Sequence, residues 1–241
     1  MKMMNKYTHN LPTWEKLAKV LIWQQLGEIK GKTILDYGSG QGITANYLAR
    51  NNNVIAIEPS EKMLENTVCD HPYKQLIGSY EILKIIESES TDIIICHNVL
   101  EYAEEREKII AEFCRILKPN GTLSVVKHNR YGRVMQMAVL LNQFETAHSI
   151  LDGKNSTASK FGEIRYYDDN DILAWGRGLC LKERYGLRTF WDLQQNQEIQ
   201  TDKEWQTNMI EIEKRVSKIP EFYNIAFFHH LIFSKPKTGS Y

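Results

Sequence analysis

Ile34-Leu35-Asp36-Tyr37-Gly38-Ser39-Gly40-Gln41-Gly42, followed by Val54-Ile55-Ala56-Ile57-Glu58, decides the fold. An apolar run ends in an acidic residue and a tight glycine loop. A helix-like segment leads to a second apolar run, which ends in Glu58. Doubly wound α/β domains build a nucleoside-cofactor site this way, at the carboxyl ends of their first two strands. The loop reads Gly-x-Gly-x-Gly rather than the Gly-x-Gly-x-x-Gly of dinucleotide enzymes. Glycine lets the backbone approach a ligand that a Cβ would hold off. Glu58 stands 20 positions after Gly38, where a carboxylate accepts both ribose hydroxyls.

Working outward, residues 11 to 28 show helical spacing, with Leu17, Val20, Leu21 and Trp23 among the apolar positions. Thr33 to Tyr37, Val54 to Glu58, Lys74 to Ile77, Asp92 to Cys96 and Gly121 to Lys127 read as strands. Helices follow the glycine loop, start at Ser60, and span Glu104 to Leu117 before the stop-and-turn Lys118-Pro119-Asn120-Gly121. The alternation predicts a doubly wound, Rossmann-like, seven-stranded and mostly parallel sheet with helices on both faces. After Asn129 the pattern changes. Tyr131 to Leu151 is predicted helical, 152 to 166 a loop, Asp168 to Gly178 a helix, and Leu179 to Phe190 a strand bent at Gly186. Asp202 to Val216 is predicted helical, and Ile225 to Phe233 a last, antiparallel strand. We expect one domain over 1–241, with a helical insert at about 130–170 that either forms a lid or only adds core.

Bulk properties exclude little. The 241 residues carry 30 Lys+Arg and 30 Asp+Glu, so whole-chain charge gives no argument for nucleic acid, although a basic patch on one face stays possible. No apolar run is long enough for a transmembrane helix, and the start lacks a signal-peptide core. Cys69, Cys96, Cys114 and Cys180 are dispersed without a CxxC pair, which fits reduced thiols in the cytoplasm and no metal site.

The stretch from about 31 to 127 resembles the class I S-adenosylmethionine-dependent methyltransferases. Its motifs are Leu35-Asp36-x-Gly38-x-Gly40-x-Gly42, Glu58-Pro59-Ser60-x-x-Met63, His97-Asn98-Val99-Leu100-Glu101-Tyr102 and Leu117-Lys118-Pro119-Asn120-Gly121. The resemblance implies that S-adenosylmethionine is the cofactor. Asp36, Gly38, Ser39, Gly40 and Gly42 would face its methionine part, Glu58 its ribose, and Pro59 and Met63 its adenine side. Gly78-Ser79-Tyr80 would present backbone to the adenine edge, with Ser79 where the family often has an acid. His97 would line the pocket. From the residues alone, Met63 is equally a core residue and His97 a structural histidine or a base.

The outer segments are more specific. Trp23-Gln24-Gln25, Lys127-His128-Asn129-Arg130-Tyr131-Gly132-Arg133 and Gly186-Leu187-Arg188-Thr189-Phe190-Trp191-Asp192 occur in an order that resembles the bacterial tRNA 5-carboxymethoxyuridine methyltransferase family. That family esterifies the carboxylate of a modified wobble uridine. The resemblance implies tRNA modification, with Asn129 and Arg188 on the acceptor side. Two departures stand out: Pro12, Trp14 and Glu15 replace basic residues, and His128 replaces an aromatic. Arg188 is a candidate fork for a carboxylate, and an ion pair with Asp192 is its alternative. Lys127, Arg130, Arg133, Lys160 and Arg165 are candidates for an anticodon-loop backbone, and Tyr131, Tyr166 and Tyr167 for base stacking. The competing functions are methylation of a small-molecule metabolite and a non-catalytic cofactor-binding module. The protein is expected as a monomer or homodimer.

Overall fold

The structure, a computed structural model, describes residues 7–8, 11–67, 69–158 and 161–237. In chain order the elements are α1 (Thr13–Leu26), β1 (Thr33–Tyr37), α2 (Ile43–Ala49), β2 (Asn53–Glu58), α3 (Glu61–Leu64), β3 (Lys74–Ile77), α4 (Tyr80–Leu83), β4 (Thr91–His97), α5 (Arg106–Ile116) and β5 (Leu117–His128). Then come α6 (Arg130–Met135), a π-helical turn (Gln136–Leu140), α7 (Phe144–Leu151), a small hairpin β6 (Ser156–Ala158) and β7 (Gly162–Ile164), and α8 (Asp169–Trp175). β8 (Cys180–Leu187), α9 (Lys203–Val216), α10 (Pro220–Tyr223) and β9 (Phe228–Ser234) complete the chain.

Seven strands form one sheet in the order β3-β2-β1-β4-β5-β9-β8. β1 pairs in parallel with β2 and β4, and β2 with β3. Asn120 N donates to Lys235 O, and Asn129 N to Phe227 O, so β9 runs antiparallel to β5. The expected sheet, with its antiparallel last strand, is therefore present. No helix among the described residues is long and apolar enough to cross a membrane.

The chain divides into two compact units, with boundaries inside β5, β8 and β9. One comprises Glu28–Val126, Tyr167–Glu183 and Leu231–Tyr241. Its core is built on near-continuous apolar strands, the mark of a sheet covered on both faces. Leu35, Ile57, Ile94, Cys96, Leu123 and Val125 are sealed there. α5 presents Ile109, Ile110, Phe113 and Ile116 inward at helical spacing. The expected turn at Lys118–Gly121 lies inside β5 instead. The register with β4 slips between Thr91↔Leu117 and Ile93↔Thr122, and Asn120 takes φ +61°. A strand can absorb extra residues as a bulge when both flanks stay paired.

The other unit comprises Met1–Gly27, Lys127–Tyr166 and Arg184–His230. α1 buries Leu17, Val20 and Leu21 on one stripe. The single helix expected over Tyr131–Leu151 is broken. α6 passes into the π turn, and Asn142 at φ +53° stops the helix before α7. Asparagine tolerates the left-handed conformation, so it ends a helix without the glycine signal. The expected loop at 152–166 contains the β6–β7 hairpin, whose three-residue strands are too short to leave a period.

Candidate functional site

In the first unit the carboxyl ends of β1, β2 and β4 meet around the glycine loop. Gly38 N and Ser39 N both donate to Ile57 O, at 2.8 and 3.0 Å, folding the loop over the end of β2. Gly38, Gly40 and Gly42 take φ of +74°, +57° and +73°. A Cβ on Gly38 would lie 2.3 Å from Val99 Cγ2, so that position closes against the segment after β4. Glu58 is buried at the end of β2. Its Oε2 accepts from Gly40 N at 2.8 Å and its Oε1 from Ser60 N at 3.0 Å. Ser60 Oγ in turn accepts from Met63 N at 3.3 Å, capping α3, and a Cβ on Gly40 would stand 3.3 Å from Met63 Cε. One glycine is thus flanked by a carboxylate and a thioether. Each carboxylate oxygen keeps a lone pair beyond the backbone bond it accepts. These acceptor lone pairs fit the donating hydroxyls of a ribose diol, and the thioether fits an uncharged ring beside it.

Asp36 is buried two residues before Gly38, and Pro59 is exposed beyond Glu58. Tyr37 and Ser79 share a 3.1 Å hydrogen bond across the strand ends, and burial pushes the Tyr37 phenol up to about 12. The acid missing at position 79 stands two residues on: Glu81 Oε1 accepts from Ser79 N at 2.8 Å. Tyr80 starts α4 and lies under Lys84, whose Nζ is 4.6 Å from the ring. His97 Nε2 bonds Ser124 Oγ at 2.8 Å at the end of β4, and Asn98 turns the chain at φ +56°.

In the second unit Asn129 caps α6, its Oδ1 accepting from Tyr131 N at 3.3 Å. Its Nδ2 donates to Asn224 O and Ala226 O, both at 2.8 Å. Gly132 faces the same segment, where a Cβ would meet Ala226 O at 2.0 Å. The Asn-x-x-Gly element therefore docks α6 onto the turn before β9. Arg188 has φ +62° and is buried. Its Nε donates to Asp192 Oδ2 at 2.7 Å, and its Nη2 donates to Oδ1. Gln136 Nε2 donates to the same Oδ1 at 3.0 Å, and Arg133 Nη1 donates to Gln136 Oε1. The guanidinium carbon of Arg188 lies 4.7 Å from the Phe227 ring centre, 5.3 Å from Phe228 and 5.0 Å from Trp14. Arg188 is thus paired with Asp192, with its Nη1 edge making no hydrogen bond among the described residues.

The comparisons extend this geometry. A methyltransferase-domain family model matches residues 35–125, the stretch that holds the glycine loop, Glu58 and the His97 edge. The tRNA 5-carboxymethoxyuridine methyltransferase of Escherichia coli (strain K12) is 23% identical over 252 residues, covering 97% of this chain and 94% of that protein. The ubiquinone biosynthesis O-methyltransferase of Rickettsia conorii is 26% identical over 144 residues, 58% of this chain and 48% of that protein. Among solved structures, the complex between the Haloferax volcanii Trm112 methyltransferase activator and a methyltransferase contains a chain that matches with a TM-score of 0.62. It is 16% identical and covers 100% of this chain and 97% of its own. The chain is a class I S-adenosylmethionine-dependent methyltransferase.

Several methyltransferase residues occupy places the sequence did not announce. Glu213 on α9 is 1% exposed and accepts the successive N–H groups of Thr189, Phe190 and Trp191 at 2.8, 2.8 and 3.1 Å. Such converging N–H groups form an anion nest. Burial raises the Glu213 pKa, and the three donors oppose that shift. A glutamate in phase with Ile210 and Val216 on the inward face was its one visible signal. His128 is pushed down to about 3, first by burial and then by Arg133, Arg188 and Lys127.

Other candidates move. Lys127 is buried, so it is not a surface contact for RNA. Tyr167 lies in the core of the first unit beside Trp175 and cannot stack a base. Arg130 covers the Tyr166 ring at 4.5 Å and donates to Ile150 O and Lys154 O, while Tyr131 is exposed. Lys160 lies outside the described residues. His229 and His230 bond Tyr223 O and Gln25 Oε1 respectively, and no group of three or more potential metal ligands occurs among the described residues.

Proposed function

We propose that the protein transfers the methyl group to the carboxylate of 5-carboxymethoxyuridine in tRNA. The observation that carries this reading is the extent of the alignment. Similarity to the tRNA methyltransferase spans 97% of the chain, against 58% for the ubiquinone-pathway enzyme. The acceptor-side elements lie outside the 35–125 core, so only a near full-length match includes them.

The chemistry agrees. When bound, S-adenosylmethionine supplies an electrophilic methyl group. A carboxylate acceptor is ionised at neutral pH, so the protein needs no general base and contributes mainly alignment and exclusion of water. Glu58 would hold the cofactor's ribose and the glycine loop its methionine part, with Asp36, Met63, Ser79 and His97 lining the pocket. Asp192 fixes the Arg188 guanidinium so that Nη1 is the edge left to meet an anion. Asn129 supports the acceptor region by positioning α6 rather than by touching the substrate.

Mass spectrometry of tRNA nucleosides from a deletion strain tests the proposal. Accumulation of the unesterified carboxymethoxy nucleoside supports it. An unchanged nucleoside profile refutes it and moves the acceptor to a small carboxylate metabolite.

A further inference from the structure

Trp14 is one of the large apolar side chains that the second unit leaves exposed among the described residues. It shares the helical stripe of Leu17 and Leu21, which are 2% and 1% exposed, yet it is 41% exposed itself. A large open indole on an otherwise buried stripe costs hydrophobic stabilisation unless something covers it. Arg188 lies against the Trp14 ring, with its guanidinium carbon 5.0 Å from the ring centre. Asp192 takes Nε and Nη2 of that guanidinium and leaves Nη1. Arg133 and Lys127 stand with Arg188 around His128, and Asp192 is the counter-charge of Arg188. An open aromatic face beside a fixed, partly uncommitted guanidinium suits a ligand that is flat at one end and anionic at the other.

We propose that Trp14 is the platform on which the acceptor base stacks, with Arg188 Nη1 beside it as donor to the base's anionic arm. The inference rests on the tRNA reading above and adds the residue that selects a heterocycle. A metabolite with a carboxylate but no ring would gain nothing from Trp14. Base–aromatic stacking is lost on alanine substitution by a factor of about 10 to 100 in affinity.

The test uses the full chain, radiolabelled S-adenosylmethionine and an anticodon stem-loop RNA carrying 5-carboxymethoxyuridine. Trp14→Ala is expected to raise KM for the RNA about 10- to 100-fold, with kcat and cofactor Kd within about twofold of wild type. Trp14→Phe is expected to recover most of the loss. An unchanged RNA KM in Trp14→Ala overturns the proposal. So does a joint fall in kcat, cofactor affinity and melting temperature that Phe does not rescue, which marks Trp14 as structural. If wild type itself leaves the RNA unmethylated, the tRNA reading has failed, and this inference fails with it. If wild type methylates it and Trp14→Ala matches wild type, only this inference has failed.

Discussion

Replacing Glu58 with alanine tests the cofactor site most directly. The carboxylate holds Gly40 N at 2.8 Å and Ser60 N at 3.0 Å, so one side chain ties the glycine loop to the cap of α3. Hydrogen bonds to a charged group contribute about 1.5–3 kcal/mol each when water cannot replace them. Here Gly40 and Ser60 are only half-buried, so water recovers part of the loss. The apo protein should lose about 1 kcal/mol. With Glu58 on the ribose as proposed, cofactor binding should lose that contact and the ordered loop together, about 1–3 kcal/mol, which is a five- to 150-fold rise in Kd. Titration calorimetry with S-adenosylhomocysteine reads the second effect and thermal unfolding of the apo protein the first. Glu58→Asp separates the roles. Its carboxylate is about 1.5 Å shorter, cannot span both N–H groups, and should weaken binding nearly as much as alanine. A Kd within twofold of wild type for Glu58→Ala would refute the assignment.

The remaining predictions concern the second unit. Gly132→Ala places a Cβ 2.0 Å from a backbone oxygen that cannot swing away, and should cost about 3 kcal/mol or more in urea unfolding; equal stability would contradict the close approach. Asp192→Asn leaves the buried Arg188, 6% exposed, without its counter-charge and should cost about 3–5 kcal/mol. Pairing Arg188→Met with Asp192→Leu should cost less than either the Asn change or Arg188→Met alone, and an additive loss would argue against a coupled pair. Burial lowers the His230 pKa from 6.5 to about 3. Its neutral form therefore contributes stability that is full above pH 6.5 and is lost as pH falls toward 3, amounting to about 5 kcal/mol at the acid end. His230→Gln should make that acid limb shallower in denaturation curves measured across this range, with His128 supplying the remainder, and an unaltered limb would count against His230 as a source.

The first unit was the more legible part. Its strands are short apolar runs punctuated by Gly38, Gly40, Gly42 and Gly121, and local sequence carries that information. Glu58 followed from its spacing to the glycine loop. The exception, Lys118–Gly121, shows where local signals stop. A turn tetrapeptide becomes a bulge when long-range pairing on both flanks outweighs it. The second unit is held by contacts far apart in sequence. Glu213 reaches residues 189–191, Asn129 reaches 224 and 226, and Gln136 reaches 192. No periodicity encodes such partners. Asn129 illustrates the consequence for motif reading, because its side-chain oxygen and amide nitrogen are both engaged within the fold. Arg188 illustrates the opposite case: both readings given for it from sequence remain compatible with one geometry, since a guanidinium can pair with Asp192 and still offer an edge.

The left-handed backbone at Arg188 has an implication for engineering. A side chain with a Cβ is strained at φ +62° by about 1–2 kcal/mol, and glycine is not. Relief of that strain alone would favour glycine at 188, together with an apolar residue at 192, whose carboxylate would then meet only Gln136 Nε2 among its present partners. Such a variant would lose the guanidinium that lies against Trp14. Thermostability and turnover should therefore diverge at this position, and a library screened on melting temperature would discard the side chain that the proposed chemistry needs.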